Sequence, residues 1–89
     1  MVTAILNHEV KDYAAWRKVF DKDAANRSKA GFNITGVYQS FDDPHKVTVI
    51  GETPSAGTIK EFFDRPELKA TMEEAGVIGM PEVKILSKV

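Results

Sequence analysis

The chain has 89 residues, with 12 basic and 13 acidic side chains, a formal net charge of −1 and no cysteine. This length supports a single domain, residues 1–89, and the balanced charge gives no electrostatic reason to bind nucleic acid or an anionic membrane. The lack of cysteine excludes disulfides and thiolate metal sites, and the lack of a ~20-residue apolar run or a secretion signal predicts a cytoplasmic protein that does not span a membrane.

The first part of the chain predicts a strand followed by a helix. Apolar and polar residues alternate over residues 2–10, as in a strand with two unlike faces. Asp12 suits the N-cap of a helix that continues to about Lys29, and Gly31 is suited to end it. At about 100° per residue, this helix has one largely aromatic stripe formed by Tyr13, Trp16, Phe20 and Ala24.

The middle of the chain predicts a hairpin. Residues 32–41 and 47–53 are rich in β-branched and aromatic residues, which is typical of strands. Residues 42–46 between them form a turn, because proline fixes φ and aspartate favours turns. The remaining elements are predicted as a helix capped by Ser55 that runs to about Phe63, a helix that starts near Pro66 and ends at Gly76, and a last strand over residues 81–89.

The order of these elements, β-α-β-β-α-β, predicts an α+β domain with a ferredoxin-like fold. We expect an antiparallel sheet of spatial order 4-1-3-2 with its helices on one face, because crossovers of this kind are right-handed. In this arrangement the first and third strands are neighbours at the centre of the sheet. We expect those two central strands to run parallel to each other.

The alternation along the strands predicts two unlike sheet faces. The face expected beneath the helices is nearly all apolar and includes Leu6, His8, Val49 and Tyr38. The opposite face has a polar rim around an apolar centre, which consists of Ile5, Val37, Ile50 and Leu86. An apolar centre of this kind is unfavourable in water, so we expect it to pack against the sheet of a second copy in a homodimer.

A set of short motifs resembles those of a known superfamily. They are Val10-Lys11-Asp12-Tyr13, Trp16-Arg17, Phe20-Asp21, Asp42-Asp43-Pro44, Pro66-Glu67-Leu68-Lys69, Ala75-Gly76-Val77 and Pro81-Glu82-Val83, together with Arg27, Gly31, Tyr38, Met72 and Gly79. With these motifs the chain resembles the small members of the dimeric α+β barrel superfamily, which includes the antibiotic-biosynthesis monooxygenases and small bacterial proteins labelled as cyclases. The resemblance implies two chains that join their sheets into a barrel, with a pocket between sheet and helices in each subunit.

His8, Tyr13 and Trp16 are the first candidates for a ligand site. His8 lies near the end of the first strand on the helix-facing side, and the helix with Tyr13 and Trp16 begins close to that end. Histidine moves protons near neutral pH, and aromatic rings offer flat faces to an aromatic ligand. The alternative is a core histidine bonded to a carbonyl group, with Tyr13 and Trp16 packed around it.

Arg27 and Tyr38 each have a functional and a structural interpretation. Arg27 falls on the aromatic stripe, where it could hold a carboxylate or enolate oxygen of a ligand. Structurally, it favours the helix dipole in the last turn, pairs with Asp23 four residues earlier and reaches water through its long stem. Tyr38 could point its hydroxyl group into the pocket, or fill the core with that group at the rim.

Neither a metal nor a cofactor is expected. His8 and His45 are the only histidines, and in parallel strands they would lie near opposite ends, ~15–20 Å apart. Asp42 and Asp43 beside His45 are better explained as turn residues than as metal ligands.

Several functions remain open. The first hypothesis is a binding protein or cofactor-free enzyme, cyclase-like or monooxygenase-like, that acts on a small aromatic or polyketide-like compound. Its residues are His8 as acid/base or hydrogen-bond donor, Tyr13, Trp16 and Tyr38 as pocket walls, and Arg27 as the group that holds a ligand oxygen. The second hypothesis is a non-catalytic dimerisation or assembly module whose pocket is filled by its own side chains. A heme-degrading or stress-responsive relative of the same fold is a third.

Overall fold

The computed structural model describes residues 2–89, except for the side chain of Met80. This part of the chain folds into four strands and four helices. In chain order they are β1 (Val2–Val10), α1 (Tyr13–Lys22), α2 (Ala24–Lys29), β2 (Asn33–Gln39), β3 (Lys46–Thr53), α3 (Ala56–Phe63), α4 (Pro66–Glu74) and β4 (Val77–Ser87). None of these four helices has the length and apolar character that crossing a membrane requires.

The strands form one sheet of order β2-β3-β1-β4, which confirms the predicted order and the α+β ferredoxin-like fold. All neighbouring strands pair antiparallel. The expectation of parallel central strands was wrong, because Leu6 of β1 lies opposite Val49 of β3 in an antiparallel register. The reason is geometric. The crossover through the helices makes β2 run parallel to β1, so β3, the second strand of the β2–β3 hairpin, must run the other way.

The antiparallel register also moves His45. Because β3 starts where β1 ends, His45 lies at the same end of the sheet as His8, and the predicted separation between the two histidines was wrong. Nδ1 of His45 is 3.0 Å from the carbonyl oxygen of Val10, and the backbone N–H of Val10 donates to the carbonyl oxygen of His45 at 2.8 Å. His45 therefore joins the start of β3 to the end of β1.

The single helix predicted for residues 13–29 is interrupted at Asp23 and forms the separate helices α1 and α2. The backbone N–H of Asp23 is shared between two carbonyl oxygens of α1, each at 3.2 Å. The carboxylate of Asp23 accepts hydrogen bonds from Asn26 at 2.7 Å and from Arg65 at 3.3 Å. These bonds compete with a continuous helix, as the short acidic side chain of aspartate often does.

A bulge at Thr35 gives β2 one residue more than the matching part of β3. Because side chains alternate between the two faces of a strand, one extra residue moves the following side chains to the opposite face. Tyr38 therefore lies opposite Thr48, on the face away from the helices, and Val37 lies opposite Val49, on the helix-facing side. The predicted faces of Tyr38 and Val37 were wrong for this reason.

β4 begins at Val77, earlier than the predicted start at residue 81. Its pairing with β1 is irregular in the middle, where residues 79–81 together lie opposite the single residue His8. Gly79 in this bulge has a φ of 70°, which glycine adopts without strain. β4 therefore leaves the regular ladder beside His8.

The helices cover one sheet face and enclose the hydrophobic core. The two predicted N-caps are present: Asp12 accepts from the backbone N–H of Ala14 and Ser55 accepts from the backbone N–H of Thr58, both at 3.3 Å. The buried apolar side chains are Ala4, Leu6, Val10, Trp16, Phe32, Val47, Val49, Ile59, Phe62, Leu68 and Ala75. Each of the larger ones stabilises the fold by roughly 1.5–3 kcal/mol relative to an exposed position.

The opposite face of the sheet is uncovered in the single chain. Ile5 and Ile50 are cross-strand partners at its centre and are only half-buried, while Leu86 is 45 % exposed. Beside them, the hydroxyl of Thr48 donates to the side-chain oxygen of Asn7 at 2.6 Å. This face thus combines an apolar centre with polar neighbours, as predicted, except that Val37 lies on the helix-facing side.

Candidate functional site

A cavity of about 80 Å³ lies between the helix-facing side of the sheet and the four helices. Every strand and every helix contributes to its wall, and the wall is almost entirely apolar. The polar or charged residues of the wall are His8, Asp23, Arg27 and Thr71. Few polar groups in an apolar wall are the usual composition of a small-molecule site.

His8 projects from β1 toward α1, and its ring centroid lies 5.2 Å from that of Trp16. Both ring nitrogens are shielded from solvent and have no hydrogen-bond partner among residues 2–89. The structure therefore does not contain the core histidine bonded to a carbonyl group that was the alternative for this position.

Burial lowers the pKa of His8 below its ordinary value of 6.5, because desolvation penalises the charged imidazolium form. At neutral pH the ring is therefore uncharged, with one nitrogen that can donate and one that can accept a hydrogen bond. An uncharged imidazole with both nitrogens free can orient a ligand or exchange a proton with it.

An aromatic wall extends from His8 along α1. The rings of Trp16 and Phe20 are stacked with centroids 4.8 Å apart, because residues four apart share one face of a helix. Tyr13 packs against Trp16, with centroids 5.8 Å apart, and is not among the residues that line the cavity. The predicted grouping of His8, Tyr13 and Trp16 is present, but only His8 and Trp16 face the enclosed space.

Arg27 lies at the other end of this wall and is only 8 % exposed, so most of its side chain is buried, whereas one structural interpretation expected its long stem to reach water. Its Cζ atom is 3.7 Å from the centroid of the Phe20 ring, and its Nη1 donates to the carbonyl oxygen of Phe20 at 2.8 Å. Burial lowers the pKa of Arg27, although a guanidinium group keeps its charge in proteins. Arg27 therefore brings a buried positive charge to the cavity.

The expected ion pair between Asp23 and Arg27 does not form. The Asp23 carboxylate lies 3.3 Å from the guanidinium of Arg65. Across residues 2–89, no carboxylate oxygen lies within 4.0 Å of the Arg27 guanidinium.

Tyr38 is not part of the cavity wall. It is 55 % exposed on the opposite sheet face, where its ring lies over Gly36 of the same strand. A Cβ atom at Gly36 would come within 2.6 Å of the Tyr38 hydroxyl oxygen, so the bare backbone there accommodates the ring.

Two polar residues of the wall, Asp23 and Thr71, were not predicted as site residues. Thr71 shares the inward face of α4 with Leu68 and Met72, so helical spacing could have indicated it. Asp23 gave no such signal, because its position depends on the break between α1 and α2. In the described part of the chain, no three His, Asp or Glu side chains are grouped as metal ligands would be.

Several solved structures share this fold. A presumed antibiotic biosynthesis monooxygenase from Bordetella bronchiseptica has a TM-score of 0.81 at 14 % identity, and the match covers 99 % of this chain and 96 % of that one. SnoaB, a cofactor-independent oxygenase from Streptomyces nogalater, has a TM-score of 0.77 at 15 % identity, covering 99 % and 92 %. A conserved protein from Methanosarcina mazei Go1 has a TM-score of 0.76 at 17 % identity, again covering 99 % and 92 %.

At these identities the likeness shows the fold alone, and it confirms the resemblance to antibiotic-biosynthesis-monooxygenase-like proteins at that level. No curated protein matches the sequence. A family profile described as a domain of unknown function, DUF3764, matches residues 1–81, which is nearly the whole sequence. The chain therefore belongs to the DUF3764 family.

Proposed function

We propose that this protein binds a small aromatic or polyketide-like compound in the cavity between sheet and helices. The observation that carries the proposal is His8, whose two ring nitrogens are buried in an apolar wall without a hydrogen-bond partner in the described part of the chain. A buried polar group without a hydrogen bond costs roughly 1–3 kcal/mol, and a ligand that bonds to His8 would remove that cost. Cofactor-free conversion, cyclase-like or monooxygenase-like, is the catalytic form of the proposal, with His8 as acid/base.

The other residues of the cavity have distinct roles in this proposal. Trp16 and Phe20 provide aromatic surface for a ring, Tyr13 packs against Trp16, and Arg27 holds a ligand oxygen. Tyr38 has no role in this cavity, because it lies on the other sheet face.

The size of the cavity sets a requirement on ligand entry. An apolar cavity of about 150 Å³ accepts benzene, whereas this one measures about 80 Å³. A ring therefore enters only if wall side chains move, and the half-buried Phe20 and Met72 are suited to do so. Methionine in particular is unbranched and changes rotamer readily.

We also propose that the protein is a homodimer in which two uncovered sheet faces pack into a barrel. Burying the apolar centre around Ile5 and Ile50 would remove an unfavourable surface from water. A domain of this size gains much from such a contact, because small domains bury a limited share of their surface on their own.

A second candidate function, a non-catalytic dimerisation or assembly module with a self-filled core, would account for the small volume of the cavity. In that case His8 is a tolerated core residue, and a bulky apolar replacement fits the protein better than the native side chain. His8→Phe then raises the melting temperature, and no small metabolite changes it.

Native mass spectrometry of protein purified gently from its own cells tests the first proposal. We expect the mass of two chains plus a reproducible small adduct, which would identify the class of ligand. A two-chain mass with no adduct favours the assembly module. A single-chain mass contradicts the dimer and leaves the uncovered sheet face to another partner.

The role of His8 is tested with the variant His8→Ala. We expect it to lose affinity for the captured compound, or its turnover, by about tenfold or more, because a hydrogen bond to a buried ligand is lost. The control is the two-chain mass, which must persist in the variant. Binding and turnover equal to those of the native protein would remove His8 from the proposed site.

A further inference from the structure

Two arginines share one local arrangement. Arg65 has its Cζ atom 4.1 Å from the ring centroid of Phe62, and its Nε donates to the carbonyl oxygen of the same residue at 3.0 Å. Arg27 makes the same two kinds of contact with Phe20, at 3.7 Å and 2.8 Å. Each guanidinium therefore stacks on one phenylalanine ring and donates a hydrogen bond to the backbone carbonyl group of the same phenylalanine.

The two arginines differ in their negative partners. Arg65 has carboxylate oxygens of Asp23 at 3.3 Å and of Glu67 at 3.7 Å. Arg27 has none within 4.0 Å in residues 2–89, yet it is the more buried of the two. Desolvation makes a counter-charge more necessary as burial increases, so the more buried arginine should be the paired one.

Arg27 also has hydrogen-bond donors that no described residue uses. A guanidinium carries five N–H groups, and the hydrogen bonds within the described residues use one of those on Arg27. The Asp23 carboxylate, which also lines the cavity, already accepts hydrogen bonds from Arg65 and Asn26. Burial outweighs the favourable but more distant charges of Asp23 and Asp21, so the pKa of Arg27 is lowered. Within residues 2–89, the charge of Arg27 therefore faces the cavity without a close counter-charge.

We infer that the ligand of this cavity is an anion, and that its carboxylate or enolate oxygen supplies the missing counter-charge of Arg27. The inference rests on the proposed function, because it names the class of compound that the same cavity takes. The apolar body of the anion lies against Phe20 and Trp16, and its far end reaches the uncharged ring of His8. A neutral compound of equal shape leaves Arg27 unbalanced and binds more weakly.

Benzoate and benzamide test this inference, because they have nearly the same shape and differ in charge. Trp16 is the only tryptophan, it is buried, and it lines the cavity, so its fluorescence reports binding there. We expect benzoate to bind the native protein at least about tenfold more tightly than benzamide, as a charge-assisted bond to arginine provides. Equal binding of the two probes overturns the inference while leaving the cavity as a binding site.

Two variants assign the preference to one residue. Arg27→Met removes the buried charge and keeps an apolar side chain of similar length, so the benzoate-to-benzamide ratio should fall to about one. Arg17→Met is the matched control, because Arg17 lies over the same Phe20 ring at 5.6 Å, pairs with Asp21 and does not line the cavity. Its ratio should stay as in the native protein.

The remaining outcomes are decisive as well. A native ratio that survives Arg27→Met overturns the inference, and a ratio lost equally in Arg17→Met assigns the preference to overall charge. If Arg27→Met does not fold, Arg27→Lys keeps the charge and should retain a preference for benzoate, and the comparison in the native protein stands independently. If neither probe changes Trp16 emission or the melting temperature, the proposed function fails together with the inference.

Discussion

His8 is a weak base held in surroundings that favour its uncharged form. Its nitrogens are shielded from water and have no hydrogen-bond partner within residues 2–89, and this burial lowers its pKa. The same burial makes the residue sensitive to acid, because a proton taken up by the folded chain must enter an apolar wall.

This leads to a prediction about pH. The unfolded chain binds a proton at His8 more readily than the folded chain, since the pKa of His8 is lowered only in the folded state. The free energy of unfolding therefore falls as the pH drops through 6.5 toward the lower folded pKa, and this contribution is fully present above 6.5. Urea unfolding between pH 7.5 and 5 at constant ionic strength measures it.

The variant His8→Phe is the control for that prediction. It keeps every carboxylate and His45, so its stability should fall less over the same pH range than that of the native protein. Parallel pH profiles for the two proteins would show that His8 does not contribute.

The position of β3 relative to the core depends on a glycine, Gly51, which has no side chain. Gly51 is at the buried centre of the sheet, and a Cβ atom there would lie 2.1 Å from Cε1 of Phe32. The Phe32 ring can therefore lie directly on the strand, from where it meets Phe62 of α3 edge-on with centroids 5.7 Å apart. The close approach of β3 to this ring helps to fix α3 over the sheet.

Gly51→Ala should accordingly destabilise the protein by about 1–3 kcal/mol, the usual cost of overpacking a core. Gly57→Ala is the matched control, because Gly57 is exposed on α3 and a Cβ atom there would be in ordinary van der Waals contact with the Ser55 hydroxyl, at 3.7 Å. In a helix the same change should be neutral or stabilising by up to ~1 kcal/mol. Thermal unfolding of both variants measures the two changes in stability. Equal changes in Gly51→Ala and Gly57→Ala would contradict the steric explanation.

The elements themselves were largely predictable, because they rest on local patterns. Alternation predicted β1, and the side chains of Asp12 and Ser55 predicted where α1 and α3 begin. The bulge at Thr35 was not predictable in this way, since a single inserted residue leaves the alternation on both sides of it intact. The break at Asp23 depends on Arg65, a partner far along the chain that local spacing does not reveal.

The candidate site was predictable in part for the same reasons. Helical spacing placed Trp16 and Arg27 on one stripe, and the strand pattern placed His8 beside them. The sequence could not predict that His8 and Arg27 lack close partners among the described residues. Whether a nitrogen is hydrogen-bonded or a charge is paired depends on all the residues around it, which only the structure gives. Tyr38 was misplaced because its face depends on the bulge in β2.

On the scale of the whole molecule, the main feature is the sheet face that the helices of the chain leave uncovered. Its apolar centre lies opposite the helices, so it cannot be buried by the chain's own core. Leu86 and Ile78 extend this apolar surface along β4 and are 45 % and 44 % exposed.

A charge at the centre of this face should separate the proposed dimer. Ile50→Lys places an ammonium group where two sheets would meet, and an unpaired buried charge costs several kcal/mol. Size-exclusion chromatography with light scattering should show two chains for the native protein and one for the variant. Ala25→Lys adds the same charge on the exposed side of α2 and should remain dimeric. A dimeric Ile50→Lys protein would contradict association through this face.

The bulges of β2 and β4 have a consequence for how copies of the chain can meet side by side. These two strands are the edges of the sheet, and an added strand needs an unbroken row of free N–H and C=O groups along an edge. The bulge at Thr35 makes one edge strand irregular, and the bulge at residues 79–81, which includes Pro81 without an N–H, makes the other irregular. These irregular edges therefore hinder another copy of the chain from adding a strand on either side of the sheet. Because such edge addition is the first step toward a fibre, the bulges protect the sheet against aggregation.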